Sequence, residues 1–499
     1  MTDPPSPPIE PEGSLLGRVL EAGAWATGLR GLTKLVAIVR VSVLARLLSP
    51  DDFGLFGIAL LALSLVEALS YTGFDAALIR RDDDIRPYLS TAWTLQAIRG
   101  LGLAIVLLLA APLVAAFFEE PAAAPLLQVL SANALLLGLT NIGVTIFNKE
   151  LQFRRYSAYQ FGGTLVDLVA SIWAAFALRS AWALVIGMLA GSCARMVISH
   201  VMAPRVRFEI DRERAKLLAR FGRWMWGARI ASYALLEGDD IVVAKMMGID
   251  ALGIYRMAYL YGNLPATEIT HVVSAVSFPA YSKLQNDAAG LRDAFLRTLR
   301  VTMFVSTPFA VGIILMAPGF VRLFLGSPES NPWLSMIVPM QILAVWGLIR
   351  SLGATVGALL QGAGRPDIIA KIAYLKLAVL AAIIYPLTVR WGVEGAAIAV
   401  VAASLVSNPI ADYSAIKVTG CRAAEFIGAV AFPLAGSSLM AVAVYSVQRA
   451  AGPDYQWLAF ALSIVIGAIT YGFAYLLLRG LFGYDIALAF KRSQRDPGA

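Results

Sequence analysis

Charge is what this chain has least of. Only 15% of its 499 residues are Asp, Glu, Lys or Arg, where a soluble domain carries about a quarter. An apolar excess of this size, spread along the whole length, excludes an ordinary soluble domain and predicts a polytopic membrane protein. Cysteine is almost missing as well. Cys193 and Cys421 have no CxxC neighbour, so no thiol metal site or redox motif is expected. The two histidines, His200 and His271, stand too far apart to resemble a zinc pair. There is no GxSxG elbow, no Walker A loop, no HExxH and no acidic metal cluster in a loop. An enzyme is therefore not expected, nor any cofactor or metal. Without a Walker A loop, pumping must draw on an ion gradient, the membrane potential or removal of product.

What is present is a succession of apolar segments long enough to cross a bilayer, for which about 20 residues are needed. Fourteen can be read, near 22–47, 53–74, 90–112, 126–147, 160–178, 181–201, 224–247, 252–278, 300–320, 334–360, 368–388, 394–412, 424–447 and 457–479. The first, second, seventh and eighth are weaker, because polar residues interrupt them. Residues 1–14 precede them, rich in proline (Pro4, Pro5, Pro7, Pro8, Pro11) and without a basic signal region. They are expected to form a disordered cytoplasmic tail.

The net charge of +8 sits between these segments, so it reads as topology rather than as a nucleic-acid footprint. Connections after even-numbered segments hold Arg80, Arg81 and Arg86; Lys149, Arg154 and Arg155; and a basic run from Arg205 to Arg223. Connections on the other side hold single residues such as Arg46, Arg179 and Arg390. Lys and Arg favour the cytoplasmic side, so both termini are expected in the cytoplasm. The basic run joins the two halves and is expected either on the cytoplasmic membrane surface or as a plain topology-fixing linker.

The most informative feature is an internal copy. Gly23, Trp25, Gly28 and Arg30 recur 199 residues later as Gly222, Trp224, Gly227 and Arg229. Val43, Ala45, Asp51 and Gly54 recur as Val242, Ala244, Asp250 and Gly253. Duplicated helical halves are a common transporter plan, because the halves can rock about a site between them. The domain expectation follows: tail 1–14, an N-lobe of six helices 15–203, a basic linker 204–223, a C-lobe of six helices 224–416, and residues 417–499 holding two further helices and a cytoplasmic tail.

Charges inside the first and seventh segments identify candidate site residues. Arg30 and Lys34, four apart, share one helix face. Arg229 repeats Arg30. Asp240 follows Arg229 by about three turns, and Glu237 lies one turn from Asp240. Each charge at the centre of a membrane helix costs roughly 2.5–3.5 kcal/mol, so the set is expected to line an aqueous cavity. Arg256 and Lys376 are within reach of such a cavity. Any one of these residues could instead pair with a neighbour and only lock the bundle.

Three stretches carry a family resemblance. Leu44-Ala45-Arg46-Leu47-Leu48-Ser49-Pro50-Asp51-Asp52-Phe53-Gly54 resembles the first outer turn of bacterial polysaccharide flippases. Its partner, Gly238-Asp239-Asp240 onward to Leu252-Gly253-Ile254-Tyr255, does so too. So does Ser277-Phe278-Pro279-Ala280-Tyr281-Ser282-Lys283. That family belongs to the superfamily that also holds multidrug extruders and lipid II flippases. The resemblance implies an all-α integral membrane fold, two pseudo-symmetric six-helix lobes in a V plus two C-terminal helices. It implies alternating-access transport of a polyprenyl-diphosphate-linked oligosaccharide across a bacterial inner membrane, for surface polysaccharide synthesis. Arg30, Lys34, Arg229 and Arg256 would then bind the diphosphate, and Glu237 and Asp240 would couple an ion. Partners would be the lipid-linked oligosaccharide, membrane lipids, and a polysaccharide polymerase with chain-length proteins; nucleic acid is not expected. Two alternatives stay open: a cation-coupled multidrug extruder, and a membrane polysaccharide polymerase or ligase.

Overall fold

A computed structural model describes residues 13–79, 84–150, 152–264, 277–326, 331–450 and 455–482. Among these residues the secondary structure is helical throughout, without a strand. Most of the tail expected at 1–14 lies outside the described residues; positions 13 and 14 already belong to helix α1 (Gly13–Leu47). His271 also lies outside them. Nine described helices are long and apolar enough to cross a membrane, or ten if the bent pair Ala123–Leu139 and Ile142–Lys149, at 59°, is one span. The expected number of fourteen is larger. The excess lies in helices that carry the charges singled out above, and in one rod, counted once, that doubles back on itself.

The chain divides into two compact units, Met1–Tyr233 and Ala234–Ala499. The division falls inside a helix, beyond the linker expected at 204–223. Residues 204–211 are tied down rather than free. The backbone N–H of Arg207 donates to Ser90 Oγ, that of Glu209 to Thr94 Oγ1 and that of Asp211 to Thr91 Oγ1, at 3.3, 3.0 and 3.2 Å. These hydroxyls sit near the start of the helix Arg86–Phe118. A new helix then begins at Arg212.

In the first unit, α1 is followed by α2 (Pro50–Leu69). The turn between them is built by a capping box. Ser49 Oγ accepts from the N–H of Asp52, and the Asp52 carboxylate accepts from the N–H of Ser49. Two otherwise orphaned donors are thus satisfied reciprocally. Pro50, at the first helical position, has no N–H to lose. Further along, α3 (Phe153–Leu178) and α4 (Trp182–Met202) complete the elements that position the first site.

In the second unit, two long rods each break at a glycine with positive φ. The first, α5 (Arg212–Gly262), breaks at Gly248, with φ 83° and ψ −172°. Asp240 and Arg256 are in contact across this break, although a straight helix would hold residues 16 apart about 24 Å from each other. The chain therefore reverses there. The second rod, α7 (Pro366–Thr419), breaks at Gly392, with φ 61° and ψ −138°. A Cβ on Gly395 would lie 2.0 Å from the carbonyl oxygen of Leu387, so this rod reverses as well. Only glycine takes such backbone angles without cost. The two reversals meet: a Cβ on Gly392 would lie 3.1 Å from Met247 Cε. Between them in sequence runs α6 (Ile337–Gly362).

Candidate substrate and ion-coupling sites

Among its described residues the first unit holds a largely shielded ion pair between two helices. Arg40 of α1 places Nη2 2.9 Å from Asp167 Oδ1 of α3, with side-chain exposures of 14% and 22%. Its Nε donates to Ser171 Oγ at 3.0 Å. Small residues on α4 let the pair sit close: a Cβ on Gly187 would lie 2.6 Å from Asp167 Oδ1, and one on Gly191 2.8 Å from Asp167 Cβ. A charge pair shielded in this way locks two helices together, and breaking it leaves a buried charge.

Two other polar features of this unit have different roles. Arg99 donates from Nε to the carbonyl oxygen of Ser70 at 2.8 Å and from Nη2 to Ser70 Oγ at 3.0 Å. It therefore caps the C-terminal end of α2, where a cation meets unpaired carbonyls. A cleft of about 230 Å³ opens beside it, lined by Asp75, Gln96, Asn148, Tyr156, Tyr159 and Gln160 among others. Its walls mix amides, hydroxyls, phenols and one carboxylate with the aliphatic side chains of Ile79, Leu137, Ile142 and Val144.

The second unit holds a larger cluster, and the reversal at Gly248 creates it. Pairs bracket that glycine symmetrically. Tyr255 Oη donates to Asp239 Oδ2 at 2.6 Å, both residues being buried. Arg256 Nη1 lies 2.6 Å from Asp240 Oδ2 and 3.5 Å from Glu237 Oε2. Among the described residues, Asp239 Oδ1 is buried without a hydrogen-bond partner. A third layer comes from α6 and α7. Trp346 is buried, and its Nε1 donates to Ser404 Oγ at 3.1 Å. Arg350 Cζ and Lys376 Nζ stand over its ring at 5.3 and 5.5 Å, within cation–π range. Tyr259 packs on the same ring, 5.1 Å between centroids. Three acids, three cations and three aromatic rings thus fall within one helical unit, largely shielded from water.

Of the residues expected from sequence, Glu237, Asp240 and Arg256 are brought together, and Lys376 joins them through Trp346. Arg256 is held by two carboxylates. Lys34 is exposed on α1. Arg30 and Arg229 sit on the described helices α1 and α5, but their side chains lie outside the described residues. Sequence reasoning missed Arg40, Asp239, Tyr255 and Trp346 as site residues. One signal was available: Arg40 and Asp239 are 199 residues apart and so occupy repeat-related positions.

A helical integral membrane protein with charges buried inside both units has the design of a solute carrier, in which intramembrane charge marks a functional path. The family described as polysaccharide biosynthesis protein matches residues 43–338, and the chain belongs to that family. It is 26% identical over 368 residues to the lipopolysaccharide biosynthesis protein WzxC of Escherichia coli (strain K12), covering 73% of this chain and 74% of that one. Its fold is similar to that of the lipid II flippase MurJ in an inward closed conformation. There the TM-score is 0.74 at 17% identity, over 91% of this chain and 99% of that one. An inward-facing multidrug resistance MATE family transporter is also similar, with a TM-score of 0.62 at 17% identity over 78% and 96% of the two chains. At such identities the likeness is one of fold.

Proposed function

We propose that this protein flips a polyprenyl-diphosphate-linked oligosaccharide from the cytoplasmic to the outer leaflet of a bacterial inner membrane, supplying repeat units for a surface polysaccharide. Membership of the polysaccharide biosynthesis family carries the reading, since the fold alone is shared with multidrug transporters. The physical obstacle is the head of the substrate. A bare anion costs on the order of 20 kcal/mol to move into a low-dielectric core by an idealised Born estimate, while the polyprenyl tail has no such difficulty. Arg30, Lys34 and Arg229 supply charge-assisted hydrogen bonds to the diphosphate as the two lobes alternate in access. Sugar hydroxyls suit the amide-lined cleft beside Asp75 and Asn148, whose groups both donate and accept.

Arg256 takes a different part from the one its charge alone implied. Two carboxylates already hold it, so we assign it to the ion-coupling group with Glu237 and Asp240. When a cation occupies those acids, the cluster resets without an anion. The membrane potential adds about 2.3 kcal/mol per charge per 100 mV for outward movement of the head. The basic loops favour cytoplasmic termini, and a polymerase with its chain-length proteins is the natural consumer of the exported unit.

The test is export in inverted vesicles, with the pH gradient, the sodium gradient and the potential collapsed one at a time. Loss of export when only the ion gradients are removed supports coupling through Glu237 and Asp240; loss only with the potential overturns it. Arg30→Ala or Arg229→Ala is expected to reduce surface polymer by tenfold or more, with insertion unchanged. Wild-type polymer levels in both would remove these residues as headgroup ligands. Drug resistance on overexpression, with no effect on polymer, would instead establish the multidrug reading.

A further inference from the structure

The second unit carries a groove that the transport reading does not use. It has a volume of about 580 Å³ and runs between the two arms of α7, at the end where that rod starts and finishes. Such a volume falls in the range of small-ligand pockets, about 300–1,000 Å³. Its composition changes along its length. Down the first arm the lining runs Arg365, Ile368, Lys371, Ile372 and Leu375, and down the second Lys417, Ser414, Tyr413 and Ile410 beside Val418, so the cations gather toward the ends of the rod and both arms finish on apolar residues.

The cations are only partly neutralised. Arg365 Nε lies 3.1 Å and Lys371 Nζ 3.7 Å from the carboxylate of Asp367, so two cations share one acid. Lys417 is exposed and has no carboxylate partner among the described residues. The rim therefore keeps two net positive charges. Below it, Lys417, Tyr413, Ile410 and Val406 follow one another at spacings of four, three and four, so they form one stripe on a single helix face. Tyr413, Ile410 and Val406 are 68%, 48% and 53% exposed. From Lys417 to Ile410 the helix rises about 10 Å. The polar interface of a bilayer is about 5–8 Å deep on each side, so a stripe that has Lys417 at phosphate depth reaches the hydrocarbon by Ile410.

We propose that this groove binds one molecule of an anionic phospholipid: its phosphate between Arg365, Lys371 and Lys417, its glycerol against Tyr413 and Ser414, and its acyl chain along Ile410 and Val406. Down the second arm Lys417, then Ser414 and Tyr413, then Ile410 follow the order of phosphate, glycerol and acyl chain in a phospholipid. The site lies apart from the Asp240–Arg256 cluster and is independent of the substrate carried.

Native mass spectrometry of the full chain in detergent tests this, with dioleoylphosphatidylglycerol and dioleoylphosphatidylcholine as probes. One phosphatidylglycerol is expected to survive activation that strips phosphatidylcholine. The double variant Arg365→Ala/Lys417→Ala is expected to lower that retained fraction about tenfold. Lys417→Arg, which keeps charge at this position, is expected to retain the lipid at close to the wild-type level and guards against a folding artefact. Lys149→Ala, in the first unit, is expected to leave retention unchanged. Equal retention of the two lipids, or undiminished retention in the double variant, overturns the proposal. So does a groove that holds added undecaprenyl diphosphate but no phosphatidylglycerol when the former is left out, since its occupant is then the carrier.

Discussion

The two units begin from the same sequence pattern and spend their buried charge differently. Arg40 and Asp239 are repeat-related, yet one is a cation and the other an acid. Arg40 reaches a distant helix, pairing with Asp167. Asp239 stays within its own hairpin, accepting from Tyr255 across the reversal. The turns differ in the same sense. The first unit turns through the Ser49–Asp52 capping box, and Asp52 Oδ1 also accepts from the N–H of Ala181 at 2.7 Å. The second turns through the bare backbone of Gly248, φ 83°. Duplication preserved where the chain bends but not what the bend holds together. One half holds a single cation against a single acid, and the other a cluster in which Arg256 faces two carboxylates; among the described residues Asp167 and Asp239 each keep an oxygen that no hydrogen bond satisfies. An unmatched, shielded cluster is the kind of place where an ion can bind, because it leaves a polar group unsatisfied in the empty state.

Removing the lock should have the largest effect. Arg40→Ala leaves Asp167 without its cation, and breaking a buried pair costs about 3–5 kcal/mol. We expect a clearly lower melting temperature in detergent, and the double variant Arg40→Ala/Asp167→Ala should lose less than the sum of the singles. Additive losses would mean that the two residues do not act as a pair.

The cluster should respond in the opposite way. Asp240→Asn is expected to cut export by tenfold or more while changing stability by much less than Arg40→Ala, read as polymer yield against melting temperature. If Asp240→Asn melts as low as Arg40→Ala, the second cluster is only another lock. Tyr255→Phe comes next. It leaves Asp239 with no side-chain donor, at a cost of about 1–3 kcal/mol for the orphaned group. Thermal unfolding of the purified variant measures it.

The smallest effect separates the turns. Ser49→Ala should cost about 1 kcal/mol, the usual value of a lost helix cap. Gly248→Ala should cost about 1–3 kcal/mol, because φ 83° with ψ −172° is a backbone region open essentially to glycine alone. A neutral Gly248→Ala variant would show that this turn can relax in a way the capped one cannot.

Particular residues show how far sequence reading went. The helical class and the repeat were legible, since both depend on composition and on identities at a fixed spacing. Asp240 and Glu237 stood out because acids in apolar segments are rare. Arg256 stands out by its charge, but its contacts with Asp240 and Glu237 are not legible, because those acids lie 16 and 19 positions away across a reversal. Arg40 was overlooked in a helix that already held Arg30 and Lys34. Nothing local distinguishes a cation that will meet Asp167 from one that will meet solvent. The number of spans is the least legible feature of the fold. The breaks at Gly248 and Gly392 fall in the gaps read between 224–247 and 252–278 and between 368–388 and 394–412, so both bends are legible although each rod runs on as one helix of 51 or 54 residues.

The amino-acid sequence by itself determined that this chain enters a membrane, that its two halves share a pattern, and where it bends. Hydrophobicity accumulates residue by residue, and a turn is specified by its own few residues, so neither needs knowledge of distant partners. Only the tertiary structure decided which charges meet. Pairing energy depends on separations of a few ångströms between groups far apart in sequence. Those separations exist only after the hairpin at Gly248 has closed and α1 has packed on α3.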